Sequence, residues 1–277
     1  MTKAGNKWGG LRIKLYFQFD GGFIMVPWDR FDEGVDWYRQ HMGWKLIDTA
    51  TGPVGRKAFF RLPGGGQANL KSFEIDLEHF SQHDYAEGNC RFCFRTANLE
   101  QALAYFRKQG VRCSEPVKLP DGAAAADIEA FAGVRLTLSE DREYEGKYPE
   151  AFAIRYGAKP LWLGVRDLEA SILWYENVLG LERSDTDYAE KGFALMRDGK
   201  SKWDYVWLQQ LPPGSPHRKA NPGARPYFLI EGRDDFLQTR RWLQEQGIET
   251  SEAVGEWWMG FHFFDPDGNR LNVWNYY

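Results

Sequence analysis

At 277 residues, with a formal charge of −4 and acidic and basic side chains mixed without long single-sign runs, the chain has length enough for two ordinary domains and presents no surface suited to a polyanion or an anionic membrane. No window approaches the ~18 consecutive apolar residues of a membrane span, and the first ten residues lack the apolar stretch of a secretory signal. Nucleic acid and membrane are thereby excluded as partners, and a cytoplasmic protein is the expectation.

In chain order, residues 1–22 read as an extension whose Ile13–Phe19 run is able to add an edge strand. An apolar strand from Ile24 then leads into a helix in which Phe31, Val35, Tyr38 and Met42 recur at helical spacing, closed by Gly43. Strand-like runs follow at 57–62 and 67–73, with Gly64-Gly-Gly66 as the hairpin between them. His79 and His83 stand four apart in the next connection, either a solvated loop or, on a helix, one metal-facing pair. The run 90–95 is a strand that places Cys90 and Cys93 on opposite faces, so the C-x-x-C spacing reads as structural; three cysteines also form no disulfide framework. A helix over 99–109 and strands near 129–131 and 134–138 complete the first half, and the charged segment 139–156 reads as a linker.

The second half repeats the first. Trp174-Tyr175 falls on Trp37-Tyr38 and Gly180 on Gly43 when Leu161–Leu181 is laid without gaps on Ile24–Trp44. Strands at 192–197 and 205–210, a strand at 226–230, a helix over 236–246 and strands at 260–264 and 270–274 follow. The unit is β-α-β-β-β, present four times in two pairs, and the fold class is α+β. The expected division is an extension at 1–22, a first domain at 23–140, a linker at 141–157 and a second domain at 158–277.

The most specific motif is Phe261-His-Phe-Phe-Asp-Pro-Asp-Gly-Asn-Arg-Leu-Asn272, two strands joined by an Asp-Pro-Asp-Gly turn in which proline fixes φ and Gly268 reverses the chain. Together with Val165-Arg-Asp-Leu upstream, it resembles the vicinal oxygen chelate superfamily, which includes glyoxalase I, bleomycin-resistance proteins and extradiol dioxygenases. The resemblance implies paired units curled into open barrels around a cavity, and a divalent metal held by histidines and a glutamate that point into it.

The positions matching those ligands carry none of them. In the second half they are Pro160, a residue within 226–228, and Asn272; in the first half, Phe23, about Arg91, and Thr137. A glyoxalase-like glutamate position would fall on Asn69, and on Trp207 or Leu208. We therefore expect no metal and no other cofactor, a divalent metal through an unrecognised site remaining the alternative. His262, ten residues before Asn272, points into the expected cavity as a general base or hydrogen-bonding anchor, or else is a histidine satisfied by backbone; Asp127 holds its place in the first half.

Twelve tryptophans suggest rings lining a pocket as well as filling cores. The expected site is an aromatic pocket in the second domain, with His262 as the catalytic candidate and Asn272, Trp258, Phe264, Trp207 and Trp274 around the ligand. Asn69 and Asp127 are the counterparts in the first. Three readings follow: a metal-independent binder of a flat or aromatic small molecule; a lyase, isomerase or dioxygenase-type enzyme using His262 or an unrecognised metal; or a partner-binding scaffold, monomeric or homodimeric.

Overall fold

The computed structural model describes residues 17–52, 55–73, 88–186, 188–215, 219, 221–256 and 258–276. His79, His83 and His217 lie outside them. The first unit comprises β1 (Gln18–Met25), α1 (Phe31–Met42), β2 (Lys45–Gly52), β3 (Gly55–Arg61) and β4 (Gln67–Ser72). The second comprises β5 (Cys90–Thr96), α2 (Leu99–Lys108), β6 (Val117–Lys118), β7 (Ala124–Glu129) and β8 (Arg135–Glu140). In the third are β9 (Arg155–Val165), α3 (Leu168–Val178), β10 (Leu181–Arg183), β11 (Phe193–Asp198) and β12 (Asp204–Gln210). The fourth has β13 (Ala224–Leu229), α4 (Arg233–Glu245), β14 (Trp258–Phe264) and β15 (Arg270–Tyr276), with isolated bridges Thr250↔Phe263 and Val254↔Gly260 where the other units have a further strand.

The helices form where their apolar stripes demand. Phe31, Val35, Tyr38 and Met42 of α1 are buried, and Gly43 ends the helix at φ 73°, the left-handed conformation that glycine adopts without Cβ strain. Asp167 caps α3 by accepting from Ala170 N at 3.0 Å, and Asn98 caps α2 by accepting from Gln101 N at 2.9 Å. Helix α4 starts three residues before the apolar stripe at Phe236, with Asp234 and Asp235 at the positive end of its dipole.

Two curled sheets result, ordered β14-β15-β13-β1-β4-β3-β2 (sheet A) and β10-β11-β12-β9-β5-β8-β7-β6 (sheet B). Each sheet takes one unit from each half: the first unit joins the fourth in sheet A, and the second joins the third in sheet B. The seams are the antiparallel pairs β1–β13, with Phe23 opposite Arg225, and β5–β9, with Arg91 opposite Trp162. Strand β1 is thus interior, hydrogen-bonded on both sides, and begins at Gln18 inside the stretch read as an extension. One large apolar core joins the buried helix stripes to the helix-facing sides of both sheets. Segment 139–156 is packed rather than solvated over its second half: Ala153 and Ile154 are buried, Trp44 Nε1 donates to Ala153 O at 2.8 Å, and Phe152 stacks on Tyr105 with centroids 4.3 Å apart. No helix among the described residues is long and apolar enough to cross a membrane.

Candidate functional site

Strand alternation gives each sheet an inner face turned away from the helices. On sheet B it is a filled core. Trp162 and Trp207, both buried, meet edge to face at 6.4 Å among Cys93, Leu119, Ala125 and Leu195. Beside them Arg91 Nε donates to Thr137 Oγ1 at 3.0 Å and lies 3.2 Å from Asp127 Oδ1, while its Nη2 donates to Gln209 Oε1 at 2.6 Å. Asp127 also accepts from Thr137 Oγ1 at 2.6 Å and lies 3.5 Å from Arg135 Nε, so one carboxylate serves two guanidiniums. A cavity of about 150 Å³ lies against Trp162, Trp207 and Cys93. Burial pushes the Cys93 thiol up to about 12, and Cys90 points into the large core on the other side of β5, as the strand spacing requires.

Sheet A carries a different surface. Phe23, Met25, Phe73 and Tyr227 are buried on its inner face with Trp258 and Trp274 packed against them. Tyr227 lies 4.8 Å from Trp274 and 5.2 Å, edge to face, from Phe23. Into this ring cluster projects Lys71, only 3% exposed, its Nζ 4.6 Å from the centroid of Phe23, 4.7 Å from Phe73, 5.5 Å from Tyr227 and 5.6 Å from Trp258. Burial, then Lys57, Arg225 and Arg270, hold its ammonium well below the ordinary lysine range, and no described carboxylate opposes them. A ring face returns ~0.5–2 kcal/mol to a cation, whereas desolvating an ammonium costs several kcal/mol even after relaxation, so the cage offsets only part of the cost.

The rest of the face is a polar network around His262, which stands directly opposite Asn272 on the β14–β15 ladder. Arg270, fully buried, donates from Nε to Asn272 Oδ1 at 3.0 Å and from Nη2 to His262 Nδ1 at 3.1 Å, while its Nη1 reaches Asn221 Oδ1. A guanidinium can only donate, so His262 Nδ1 is an acceptor and the ring proton of the neutral imidazole belongs on Nε2. Asn272 Nδ2 donates to Pro226 O at 3.0 Å, and the His262 amide to Ser251 Oγ at 3.0 Å. Phe264 meets the His262 ring edge to face at 5.5 Å.

Sheet A therefore brings together His262, Asn272, Trp258, Phe264, Trp274 and Asn69, with Asn69 from the first half. Trp207 is corrected: β12 belongs to sheet B, and the residue packs edge to face in the filled core of the sheet whose β7 carries Asp127. Because sheets combine units across the halves, the inner face that carries His262 and Asn272 is shared by the first and fourth units. Lys71, Arg225 and Tyr227 were missed by the sequence reading, although the alternation of β4 and β13 places them on the same face as Asn69 and the 226–228 position.

Among the described residues, the positions matching the metal ligands that the resemblance implies do not fit a metal on either face. Sheet A offers Phe23, Asn69, Tyr227 and Asn272 at the matching positions, and sheet B offers Pro160, Arg91, Thr137 and Trp207, with Leu208 turned into the large core. None is a carboxylate, imidazole or thiolate, and Lys71 and Arg270 stand where a dication would be repelled. No group of three or more His, Cys, Asp and Glu is placed to hold a metal ion among the described residues.

The Asp-Pro-Asp-Gly motif, by contrast, is a joint. Asp265 Oδ1 accepts from the amides of Asp267 and Asn269 at 2.9 and 2.7 Å, and its Oδ2 from Asn269 Nδ2 at 2.7 Å and Tyr175 Oη at 2.7 Å. Asp267 accepts from Arg166 Nε at 2.8 Å and Ser171 Oγ at 3.2 Å. Both carboxylates thus fasten the β14–β15 hairpin of sheet A to α3 of the third unit. A cavity of about 690 Å³ lies outside both inner faces, between Phe19, Trp203 and Tyr205 and the start of α4, with Glu231 and Asp235 exposed on its rim.

The model of the Glyoxalase/Bleomycin resistance protein/Dioxygenase superfamily matches residues 22–132 and 157–273. A putative dioxygenase from Bacillus subtilis is 15% identical with a TM-score of 0.61, over 93% of this chain and 86% of its own. Glyoxalase I from Zea mays is 16% identical with a TM-score of 0.60, over 94% and 92%. No curated protein gave a significant match.

Proposed function

Because the chain belongs to the Glyoxalase/Bleomycin resistance protein/Dioxygenase superfamily, we propose that it keeps the family's cavity and binds a flat, aromatic small molecule on the inner face of sheet A without chelation through a metal. The observation that carries this reading is the contrast between the two faces: sheet B is closed by its own tryptophans, whereas sheet A surrounds a buried lysine with rings. The rings around Tyr227 and Trp274, packed on one another at 4.8–5.9 Å, form an aromatic wall against which a planar guest can pack. Titration calorimetry with a panel of aromatic metabolites and antibiotics tests it. Saturable heats lost in Trp274→Ala support the reading, and an empty panel on folded protein counts against it.

His262 supports a second reading, an enzyme of lyase, isomerase or dioxygenase type. Its imidazole is held by Arg270 through Nδ1 and stands on the inner face among rings, the kind of group able to exchange a proton with a ligand. Turnover abolished in His262→Ala with ligand binding retained separates this reading from simple binding.

A further inference from the structure

The two sheets are built on one register, and comparing them position by position identifies a carboxylate on sheet B that has no counterpart at the matching position of sheet A. On sheet B, Asp127 is paired with Thr137 and Arg91 lies opposite Trp162; on sheet A, His262 is paired with Asn272 and Arg225 lies opposite Phe23. Arg135 and Arg270 stand two residues before Thr137 and Asn272. The position of Gln209, which accepts from Arg91 on sheet B, corresponds on sheet A to Lys71, since Trp207 neighbours Trp162 as Asn69 neighbours Phe23. Sheet B thus sets one carboxylate between two guanidiniums. Sheet A sets a histidine in the carboxylate's place and adds an ammonium.

One donor on this face is buried without an acceptor among the described residues: Trp274 Nε1. It stands on the face where Lys71 and Tyr227, 3% and 2% exposed, bring an ammonium and a hydroxyl into the ring cluster. A buried cation facing rings, with an unsatisfied donor on the same face, describes the complement of an anion.

We propose that the ligand of sheet A carries an anionic group, a carboxylate or a phosphate, that binds at Lys71 and takes the place that Asp127 fills on sheet B. The inference rests on the inner face of sheet A being the binding site, as proposed above. The aromatic cage then receives the body of the ligand while Tyr227 and Trp274 donate to its charged end. The ring faces and the anion act on opposite sides of the same ammonium, so the site selects a molecule having both parts.

Lys71→Met and Lys71→Gln test the charge, and thermal unfolding is the first readout because it needs no knowledge of the ligand. A buried cation without a counter-ion weighs against the fold, so both variants should melt above wild type in chloride buffer, by about 2–4 °C or more. Inorganic phosphate should raise the wild-type midpoint more than those of the variants at matched ionic strength. Variants that melt below wild type, or equal gains from phosphate in all three, would overturn the inference. Calorimetry with 2-naphthoate, 2-naphthyl phosphate and neutral 2-naphthamide then separates the possibilities. The acids should bind about tenfold or more tightly than the amide, with the ratio collapsing in Lys71→Met, and the tighter of the two identifies the anion. Acids and amide binding equally would overturn the charge and leave the aromatic site standing. Lys71-dependent protection by phosphate with no naphthyl compound bound would remove the aromatic reading and retain the anion.

Discussion

Tyr175 and Asp265, ninety residues apart in sequence, meet through a 2.7 Å hydrogen bond that ties helix α3 to the turn of the β14–β15 hairpin. The tyrosine is fully buried, and Asp265 has no solvent to replace it. Removing the hydroxyl in Tyr175→Phe should cost about 1–3 kcal/mol in chemical denaturation, with the ring's packing preserved. A loss near zero would mean the hairpin is held by Asp267 and the amides alone.

The same carboxyl gives stability an unusual pH dependence. Burial raises Asp265 to about 6 despite its four donors. An acid whose folded value lies above its unfolded value stabilises the fold when protonated, so its contribution is fully present below pH ~4 and is lost as pH rises through about 6. Asp265→Asn should therefore flatten the stability profile between pH 4 and 6.5, where wild type loses on the order of 3 kcal/mol from this group as pH rises. A wild-type profile that rises through that window with the variant parallel to it would contradict the assignment.

Trp207→Ala should cost about 3–5 kcal/mol, because it opens a cavity against Trp162 that the surrounding sheet cannot collapse to fill. Ligand binding on sheet A should be unchanged in protein that remains folded. A selective loss of binding would return Trp207 to the site.

Nitrogen-15 NMR of the imidazoles checks the tautomer at His262. Nδ1 should show the shift of an unprotonated acceptor, and Arg270→Ala should release it. His262→Ala, which deprives the buried Arg270 of one acceptor, should destabilise the protein by about 1.5–3 kcal/mol. A protonated Nδ1 would exclude the Arg270 bond.

The units were legible because glycine punctuation and helical spacing are local signals: Gly43 and Gly180 close helices where the repeat puts them, with φ of 73° and 68°. Strand β2 left little trace, since it lies at a sheet edge with most of its side chains exposed and no alternation to read. Strand β7 was read late for a related reason, its alanines giving weak apolar contrast. The polar positions His262, Asn272 and Asp127 were correctly counted onto inner faces, because register along one hairpin follows from its turn. The company each keeps was not, since pairing between units is decided by seams such as β1–β13 that join residues some two hundred apart. That is why Trp207 was grouped with His262, and why Lys71, a lysine in an ordinary-looking strand, gave no sign of its burial.

The order in which the strands leave the ribosome follows from those seams. Sheet B is complete once residue 210 has emerged, whereas β1 to β4, made first, must wait for β13 to β15, made last. During synthesis the inner edge of β1 is an unpaired strand with Phe23 and Met25 on one face, for as long as it takes to add the intervening chain. A stalled or truncated product would thus carry a finished sheet B beside a sticky half of sheet A, and a version permuted to start at β13, with the old ends linked, would close sheet A early and should fold with less aggregation.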